Sequence, residues 1–191
     1  MKRKKLPGKL SRRIVALLVV VIIILAGLTA WTIKSPTTLS VQSDQQLKNS
    51  VMAFSKSLSD LSTTDSAGSY TFKFGFDYPD VPIQRGATTV FKVYTALISE
   101  QFSSPLARGV TLSVQSATLL VNGKEDTSVK VVTTTQPSLQ VIEFQFVNTS
   151  LPAGNYNTTA RLVLSTVDVF YVGFFSGSTS IVTLDGSFTI G

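Results

Sequence analysis

The chain has neither cysteine nor histidine among its 191 residues. Without cysteine no disulfide can form, so a domain exported from the cell has to be held together by its core alone. The two absences also exclude structural zinc sites built on these residues, type 1 copper, haem ligation through either residue, thiol nucleophiles and the Ser-His-Asp triad. Composition alone therefore excludes most familiar catalytic and metal-binding classes.

Carboxylates are sparse as well, with 11 Asp and Glu in the whole chain. No two of them have a spacing that indicates general acid–base chemistry. Asp77 and Asp80 bracket Tyr78-Pro79, but calcium takes about six to eight oxygen ligands and no dense Asp/Asn loop surrounds them. Capping of a turn is the simpler role for both. We expect no enzyme, no cofactor, no metal and no small-molecule substrate.

Positive charge is concentrated at the N-terminus. Seven of the 17 basic residues precede Ile14, and the rest of the chain carries ten basic residues against 11 acidic ones, a net charge of −1. A nucleic-acid-binding surface needs a basic stripe with interleaved aromatic residues, and none follows Ile14. The overall charge of +6 therefore predicts membrane orientation and not a nucleic-acid partner.

Residues 14–33 form an apolar run of twenty residues without an ionisable side chain. As a helix this run is about 30 Å long, the thickness of the hydrocarbon core of a bilayer. We predict a transmembrane helix at 14–33, a basic cytoplasmic segment at 1–13, and everything later outside the cell. Trp31 suits the outer interface, and Leu28-Thr29-Ala30 is a poor cleavage site, so an uncleaved anchor is favoured over a signal peptide.

Residues 34–68 are predicted to be a linker followed by an amphipathic helix at about 44–61. Its apolar positions have a 4-3-4-3 spacing that places them on one helical face: Leu47, Val51, Phe54, Leu58 and Leu61. Ser43 and Gln46 fit a capping box, and residues 62–69 are turn formers that end the helix. The stripe either docks on its own domain or forms the seam of a short coiled coil.

From residue 69 to residue 191 the apolar period changes to two. Tyr70, Phe72, Phe74, Phe76 and Tyr78 alternate with polar residues or glycine, which predicts a strand with one aromatic face. Asn122-Gly123 predicts a hairpin whose second strand returns over 127–134. Further strands are predicted at 90–98, 110–121, 139–147, 158–165, 167–175, 179–184 and 187–190. Such short, regularly spaced strands are typical of a two-sheet antiparallel sandwich.

The segment Leu151-Pro152-Ala153-Gly154-Asn155-Tyr156 resembles the corner that enters a late strand in immunoglobulin-like and fibronectin-type surface domains. The resemblance implies that the Tyr156 hydroxyl is tied back to the backbone of the corner. The predicted fold class is therefore all-β, an immunoglobulin-like antiparallel β-sandwich preceded by a transmembrane helix and a short amphipathic helix. The inter-sheet cysteines of antibody domains are missing.

Two kinds of surface site are predicted. Asn148-Thr149-Ser150 and Asn157-Thr158-Thr159 are sequons on the exported side, so Asn148 and Asn157 are candidates for glycosylation. Residues 170–175 are the most apolar stretch after the membrane segment. They indicate either a central strand partly covered by the helix at 44–61 or an exposed aromatic patch formed by Phe170, Tyr171, Phe174 and Phe175.

The expected function is a non-catalytic module tethered in the cell membrane by a single span. Its β domain would bind another protein or an envelope component outside the cell, as a subunit of a surface complex. The alternative is a self-assembling subunit of a pilus-like filament, since Pro7-Gly8 resembles the cleavage region of type IV pilin-like precursors. Against it, Lys9, Arg12 and Arg13 would remain on the mature helix, and buried unpaired cations are costly.

Overall fold

The computed structural model describes residues 53–126, 129–136 and 139–191, with the side chains of Gln136 and Ser176 left aside. Within these residues the regular structure is β apart from Ala53 and Phe54, which are helical. No helix in the described part has the length and apolar character needed to cross a bilayer. The predicted segments 1–13 and 14–33, and the predicted linker up to residue 52, lie outside the described residues.

Nine strands build two sheets in the described part of the chain. They are β1 (Ser57–Thr64), β2 (Gly68–Asp77), β3 (Thr88–Phe102), β4 (Ala107–Val121), β5 (Lys124–Glu125), β6 (Lys130–Gln136), β7 (Leu139–Val147), β8 (Gly154–Phe170) and β9 (Gly173–Ile190). The strand orders are β1-β2-β3-β7-β6 in one sheet and β5-β4-β8-β9 in the other. All neighbours are antiparallel, so the predicted all-β sandwich is confirmed.

The aromatic face of β2 fills the centre of the sandwich, as the alternating sequence predicts. Tyr70, Phe72, Phe74 and Phe76 are buried, whereas Tyr78 follows the strand and is half-buried. Rings from the two sheets meet edge to face, as the centroids of Phe91 on β3 and Phe188 on β9 lie 5.4 Å apart. Such pairs add about 0.5–1.5 kcal/mol to what the buried area alone contributes.

The predicted helix at 44–61 is wrong over its last turns. Ser57–Thr64 is strand β1, paired along its length with β2 from Ser57↔Phe76 to Thr64↔Ser69. Leu58 and Leu61 therefore lie on a strand, Phe54 is helical but 66% exposed, and Leu47 and Val51 lie outside the described residues. Ser and Thr dominate β1, and their side chains compete for the backbone hydrogen bonds that a helix would use. Strand β2 instead offers the backbone of β1 a complete ladder of hydrogen-bond partners.

Residues 62–69 also differ from the turn that the sequence predicts. They contain the end of β1, a tight turn and the start of β2. The Asp65 side chain makes this turn, because its Oδ1 accepts hydrogen bonds from the backbone N–H groups of Ala67 at 3.0 Å and Gly68 at 3.2 Å. An Asp that bonds its own backbone two residues on is a strong turn former.

The hairpin at Asn122-Gly123 is confirmed, but its second strand is not. Both residues have positive φ, 48° and 77°, as a type I′ turn requires. The return strand β5 has only two residues, after which the chain crosses to the other sheet and β6 pairs with β7. The predicted return over 127–134 is therefore wrong: the ladder of β5 with β4 has two residue pairs, whereas Lys130–Gln136 pair with β7 along their whole length.

The last two strands are longer than the sequence predicts. Four short strands were expected between residues 158 and 190, yet β8 and β9 run for 17 and 18 residues. Asp185 and Gly186, residue types that are rare in strands, remain paired inside β9 instead of ending it. A register shift between Ser165 and Val167 absorbs the local irregularity without breaking the ladder.

The antiparallel order gives the sandwich two distinct ends. One end, here called the tip end, carries the β1–β2 turn, the β3–β4 connection and the β8–β9 turn. The opposite, or entry, end carries the start of β1, the β4–β5 turn and the β7–β8 corner. Ile83 forms a parallel bridge to Ile190 at the entry end, so the segment after β2 extends along the end of β9.

Candidate functional site

The β7–β8 corner is held from two sides by side chains of its own residues. The Tyr156 hydroxyl donates a hydrogen bond to the Pro152 carbonyl at 2.9 Å, the tie that the resemblance implies. Asn148 accepts from the Leu151 N–H at 3.0 Å and donates to the Leu151 carbonyl at 3.4 Å. The corner is therefore a rigid structural element at the entry end.

The two sequon asparagines lie in different environments. Asn148 is 1% exposed and its amide is occupied by Leu151. Asn157 is exposed on β8, where its backbone N–H donates to Asn122 Oδ1 at 3.0 Å. Only the Asn157 side chain is open to modification in the folded domain.

Residues 170–175 form the turn at the tip end and not a central strand. Phe170 ends β8, Tyr171 and Val172 make the turn, and Phe174 and Phe175 follow Gly173 at the start of β9. Tyr171 is 64% and Phe175 is 53% exposed, while Phe170 and Phe174 are half-buried. The interpretation as a strand buried on both faces is wrong, because the hairpin reaches the surface and leaves its outermost side chains uncovered.

The β3–β4 connection adds two residues to this surface. The Arg108 guanidinium carbon lies 4.6 Å from the centroid of the Tyr171 ring, in a cation–π contact. The Tyr171 N–H donates to the Leu106 carbonyl at 3.1 Å, and the Leu106 side chain is exposed. We call this surface the aromatic tip and define it by Leu106, Arg108, Phe170, Tyr171, Val172, Phe174 and Phe175.

Contacts within the aromatic tip hold its rings in place. The Phe170 and Phe175 rings are perpendicular, with centroids 5.3 Å apart, and Ala107 pairs with Phe170 across β4 and β8. Exposed aromatic residues beside an arginine are typical of the residues that carry most of the energy of protein interfaces. The aromatic tip is the candidate functional site.

A buried polar cluster lies behind the aromatic tip, where the two sheets face each other. Asp168 on β8 is 1% exposed, and burial followed by the charge of Asp65 raises the pKa of its carboxyl from 3.8 to about 6. Burial and the neighbouring Asp168 also raise the pKa of Tyr70. Tyr70 in turn lowers the pKa of Asp168. The Tyr70 hydroxyl and Asp168 Oδ1 are nevertheless not in hydrogen-bond geometry, and both atoms are buried without a partner.

The carboxyl group of Asp65 links this cluster to β8. Its Oδ2 accepts a hydrogen bond from Thr166 Oγ1 at 3.2 Å, while Oδ1 holds the β1–β2 turn. Asp65 belongs to the turn of one sheet and Thr166 to a strand of the other. Sequence reasoning missed this cluster; the available signal was one acidic residue inside the apolar run 167–170.

The pair considered as cation ligands has another role. Lys56 Nζ lies 2.7 Å from Asp80 Oδ1 and 3.9 Å from Asp77 Oδ1, and the same ammonium donates to the Tyr78 carbonyl. Lys56 also lies over the Tyr78 ring, 4.8 Å from its centroid. These contacts fix the chain after β2, and among the described residues no group of three or more acidic side chains is arranged to hold a metal ion.

Comparisons with models of protein families, with curated proteins and with solved structures find no match to this chain. No relative therefore indicates a substrate or a partner. The strand order and the chemistry of the aromatic tip are the features that indicate a function.

Proposed function

We propose that this chain is a membrane-tethered surface module of immunoglobulin-like fold that binds another protein or an envelope component through the aromatic tip. The observation that carries the proposal is the cluster of exposed Tyr171, Val172, Phe175 and Leu106 beside Arg108. Contiguous apolar side chains on a protein surface mark interaction sites, and Tyr and Arg are enriched among interface hot spots. The module is proposed to be non-catalytic.

The strand order supports an immunoglobulin-like fold. Strands β2-β3-β7-β6 follow the A-B-E-D order of one immunoglobulin sheet, and β5-β4-β8-β9 follow the C′-C-F-G order of the other. Strand β1 is then an additional edge strand before A. The Tyr156 tie at the start of β8 has the position of the tyrosine corner at the start of strand F.

The position of the aromatic tip supports a role in binding. The β3–β4 and β8–β9 connections correspond to the B–C and F–G loops, which in antibody variable domains lie at the antigen-binding end. Both connections contribute to the aromatic tip, and Tyr171 joins them through its bond to Leu106. A rigid sandwich that presents side chains from two loops is a common way to build a binding site.

The tether completes the proposed architecture. Residues 14–33 have the length and composition of a bilayer span, and the basic residues before them favour a cytoplasmic N-terminus. The chain enters the sandwich at Ser57, at the end opposite the aromatic tip. Asn157 lies on β8 beside the Asn122 turn, so a glycan there would leave the aromatic tip uncovered.

A pull-down with matched variants tests the proposal. The full chain is recovered from its native membrane in gentle detergent, as wild type, as Tyr171→Ser with Phe175→Ser, and as Ile181→Ser, and co-purifying proteins are identified by mass spectrometry. Ile181 is a suitable control because it is 58% exposed on β9 away from the aromatic tip. We expect the partner to be recovered with wild type and with Ile181→Ser. The double variant should weaken the binding free energy by at least about 2 kcal/mol, so the partner should be lost from its pull-down.

Three outcomes would contradict the proposal. Recovery of the wild-type chain alone, as a monomer, removes the evidence for a partner. Equal loss of the partner in Ile181→Ser and in the double variant places the binding surface elsewhere on the sandwich. Recovery of long homopolymers of the chain favours the filament subunit instead.

A further inference from the structure

Two carboxyl groups from opposite sheets interact behind the aromatic tip. Asp65 comes from the β1–β2 turn and Asp168 from β8. Asp65 Oδ2 accepts a hydrogen bond from Thr166 Oγ1 at 3.2 Å. Thr166 and Asp168 are alternate and buried residues of β8, so the Asp65 and Asp168 carboxyl groups lie on the same inner face, and Asp65 is the first charged group among the causes that raise the pKa of Asp168. Asp168 is almost completely buried, and its Oδ1 and the Tyr70 hydroxyl are buried without a hydrogen-bond partner. Burying two like charges this close is costly unless something neutralises one of them.

The groups that face this pair are acidic or neutral. Asp65 and Tyr70 on β2 are the groups that shift the pKa of Asp168. Glu100 on β3 is a further charged group that shifts the pKa of Tyr70. Thr166 on β8 contributes only a hydroxyl, which donates to Asp65. No basic side chain is among the groups that shift the pKa of Asp168 or of Tyr70.

A proton fits this cluster better than a metal ion does. Calcium takes about six to eight oxygen ligands and magnesium needs near-octahedral geometry. The cluster offers two carboxyl groups and the hydroxyls of Thr166 and Tyr70, and the hydroxyl of Thr166 is already donated to Asp65. A proton needs only two oxygens, one on each side.

We propose that Asp65 and Asp168 share one proton, which Asp168 carries and donates to the Asp65 carboxylate, and that this bond latches the β1–β2 turn to β8. The tip end of the sandwich is then firm in weak acid and loosens towards neutral pH, when the proton leaves and two carboxylates face each other. This latch does not depend on whether the aromatic tip binds a partner.

The direction of the pH dependence follows from linkage. The pKa of Asp168 is raised from 3.8 to about 6 on folding, chiefly by burial, so between those values the folded chain holds a proton that the unfolded chain releases. The contribution of the protonated Asp168 carboxyl to the free energy of unfolding is therefore fully present below about pH 4 and is lost as the pH rises through about 6. Burial also raises the pKa of Glu100, which acts in the same direction.

Hydrogen exchange of the full chain at about pH 5 and about pH 7.5 tests the latch. Rates are read by mass spectrometry and corrected for the intrinsic effect of pH on exchange, and the β4–β5 turn at the entry end serves as an internal reference. We expect protection of the β1–β2 turn and of β8 after Thr166 to fall at least tenfold at the higher pH, while the reference changes little.

Variants separate the latch from general acid stabilisation. Asp168→Asn keeps a donor without a titrating charge, so we expect the tenfold change of the wild type to be lost and only a small change due to Glu100 to remain. Asp185→Asn is the control, because Asp185 is an exposed aspartate on β9 whose Oδ1 accepts from Thr159, and it should behave as wild type. If Asp168→Asn does not fold, a ¹³C carboxyl titration of Asp168 in the wild-type chain decides the question.

Several results would overturn the proposal. Protection that does not change with pH in wild type, or that changes as much in Asp168→Asn as in wild type, excludes a shared proton. An Asp168 carboxyl that titrates with its ordinary pKa does the same. Full recovery of protection at about pH 7.5 on addition of calcium chloride, reversed by EDTA, assigns the cluster to a metal ion instead.

Discussion

At the scale of single residues, the β7–β8 corner is held by a few polar atoms. The Tyr156 hydroxyl and the Asn148 amide each bond the backbone of residues 151–152. The Tyr156 ring also stacks on Phe188, with centroids 5.6 Å apart and planes inclined at 19°. The hydroxyl and the ring of Tyr156 therefore contribute separately to the stability of the corner.

Removal of the Tyr156 hydroxyl should weaken the fold by a measurable amount. Tyr156→Phe retains the stacking on Phe188 but loses the bond to Pro152, so we expect a loss of about 0.5–1.5 kcal/mol in the free energy of unfolding. The measurement is urea denaturation of the full chain followed by far-ultraviolet circular dichroism. Tyr171→Phe is the control, since that ring is exposed at the aromatic tip, and an equal loss in both variants would contradict the corner's role.

Residue patterns predicted the core well and the buried polar cluster not at all. Alternation alone identified the buried rings of β2, because burial of one strand face needs only the sequence period. Asp168 alternates with apolar residues as an exposed strand residue does, and its raised pKa comes first from burial and then from the charge of Asp65, more than 100 residues earlier in the chain. The acidic residue inside the apolar run 167–170 was a local signal for Asp168 alone; its proximity to Asp65 has none.

At the scale of elements, the same limit explains the errors at both ends of the domain. Residues 57–61 fit the apolar spacing of a helix, yet pairing with β2 gives their backbone a complete ladder. Periodicity describes only the side chains of a segment, whereas the choice between helix and strand here depends on a neighbouring strand. In β8 and β9 the mutual pairing likewise extends through residues that looked like strand ends.

The aromatic tip shows which part of a site can be predicted. Phe170, Tyr171, Phe174 and Phe175 were identified as a patch because they are adjacent in sequence. Leu106 and Arg108 were not, because only the register of β4 against β8, with Ala107 opposite Phe170, brings them to the same end. In the sequence, the turn former Pro105 beside Leu106 was the one local hint.

Gly68 at the start of β2 should not tolerate a side chain. A Cβ atom there would lie 2.3 Å from the Gln101 carbonyl oxygen on β3, and the backbone cannot move aside as a side chain can. We expect Gly68→Ala to cost about 1–3 kcal/mol through overpacking, measured by urea denaturation of the full chain. Ser116→Ala, on an exposed position of β4, is the control; unchanged stability in both would contradict the close strand approach.

At the scale of the whole molecule, the two sequons test the exported topology and the fold together. The proposed export would give both sequons access to a glycosylation machinery, whereas the fold leaves Asn157 exposed and Asn148 buried. One experiment therefore tests both: the presence of a glycan tests the exported topology, and the asparagine that carries it tests the fold.

We expect a single glycan, on Asn157. Asn157→Gln should lower the mass of the protein isolated from its native membrane by one glycan, as read by intact mass spectrometry. Ser150→Ala, which destroys the other sequon and keeps the Asn148 side chain in the corner, should leave the mass of the glycan unchanged. Glycan loss in Ser150→Ala, or no glycan in the wild-type protein, would contradict this prediction.

The opposite placement of Ser57 and the aromatic tip has a mechanical consequence. Strand β8 has 17 residues, which at about 3.3 Å per residue separate the two ends by about 50 Å. Under the proposed function, a pull between the chain entering at Ser57 and a partner at the aromatic tip would be directed along the strands. It would load the hydrogen bonds of each ladder together, in shear, and would not unzip them one at a time, so the proposed module would resist tension along its length.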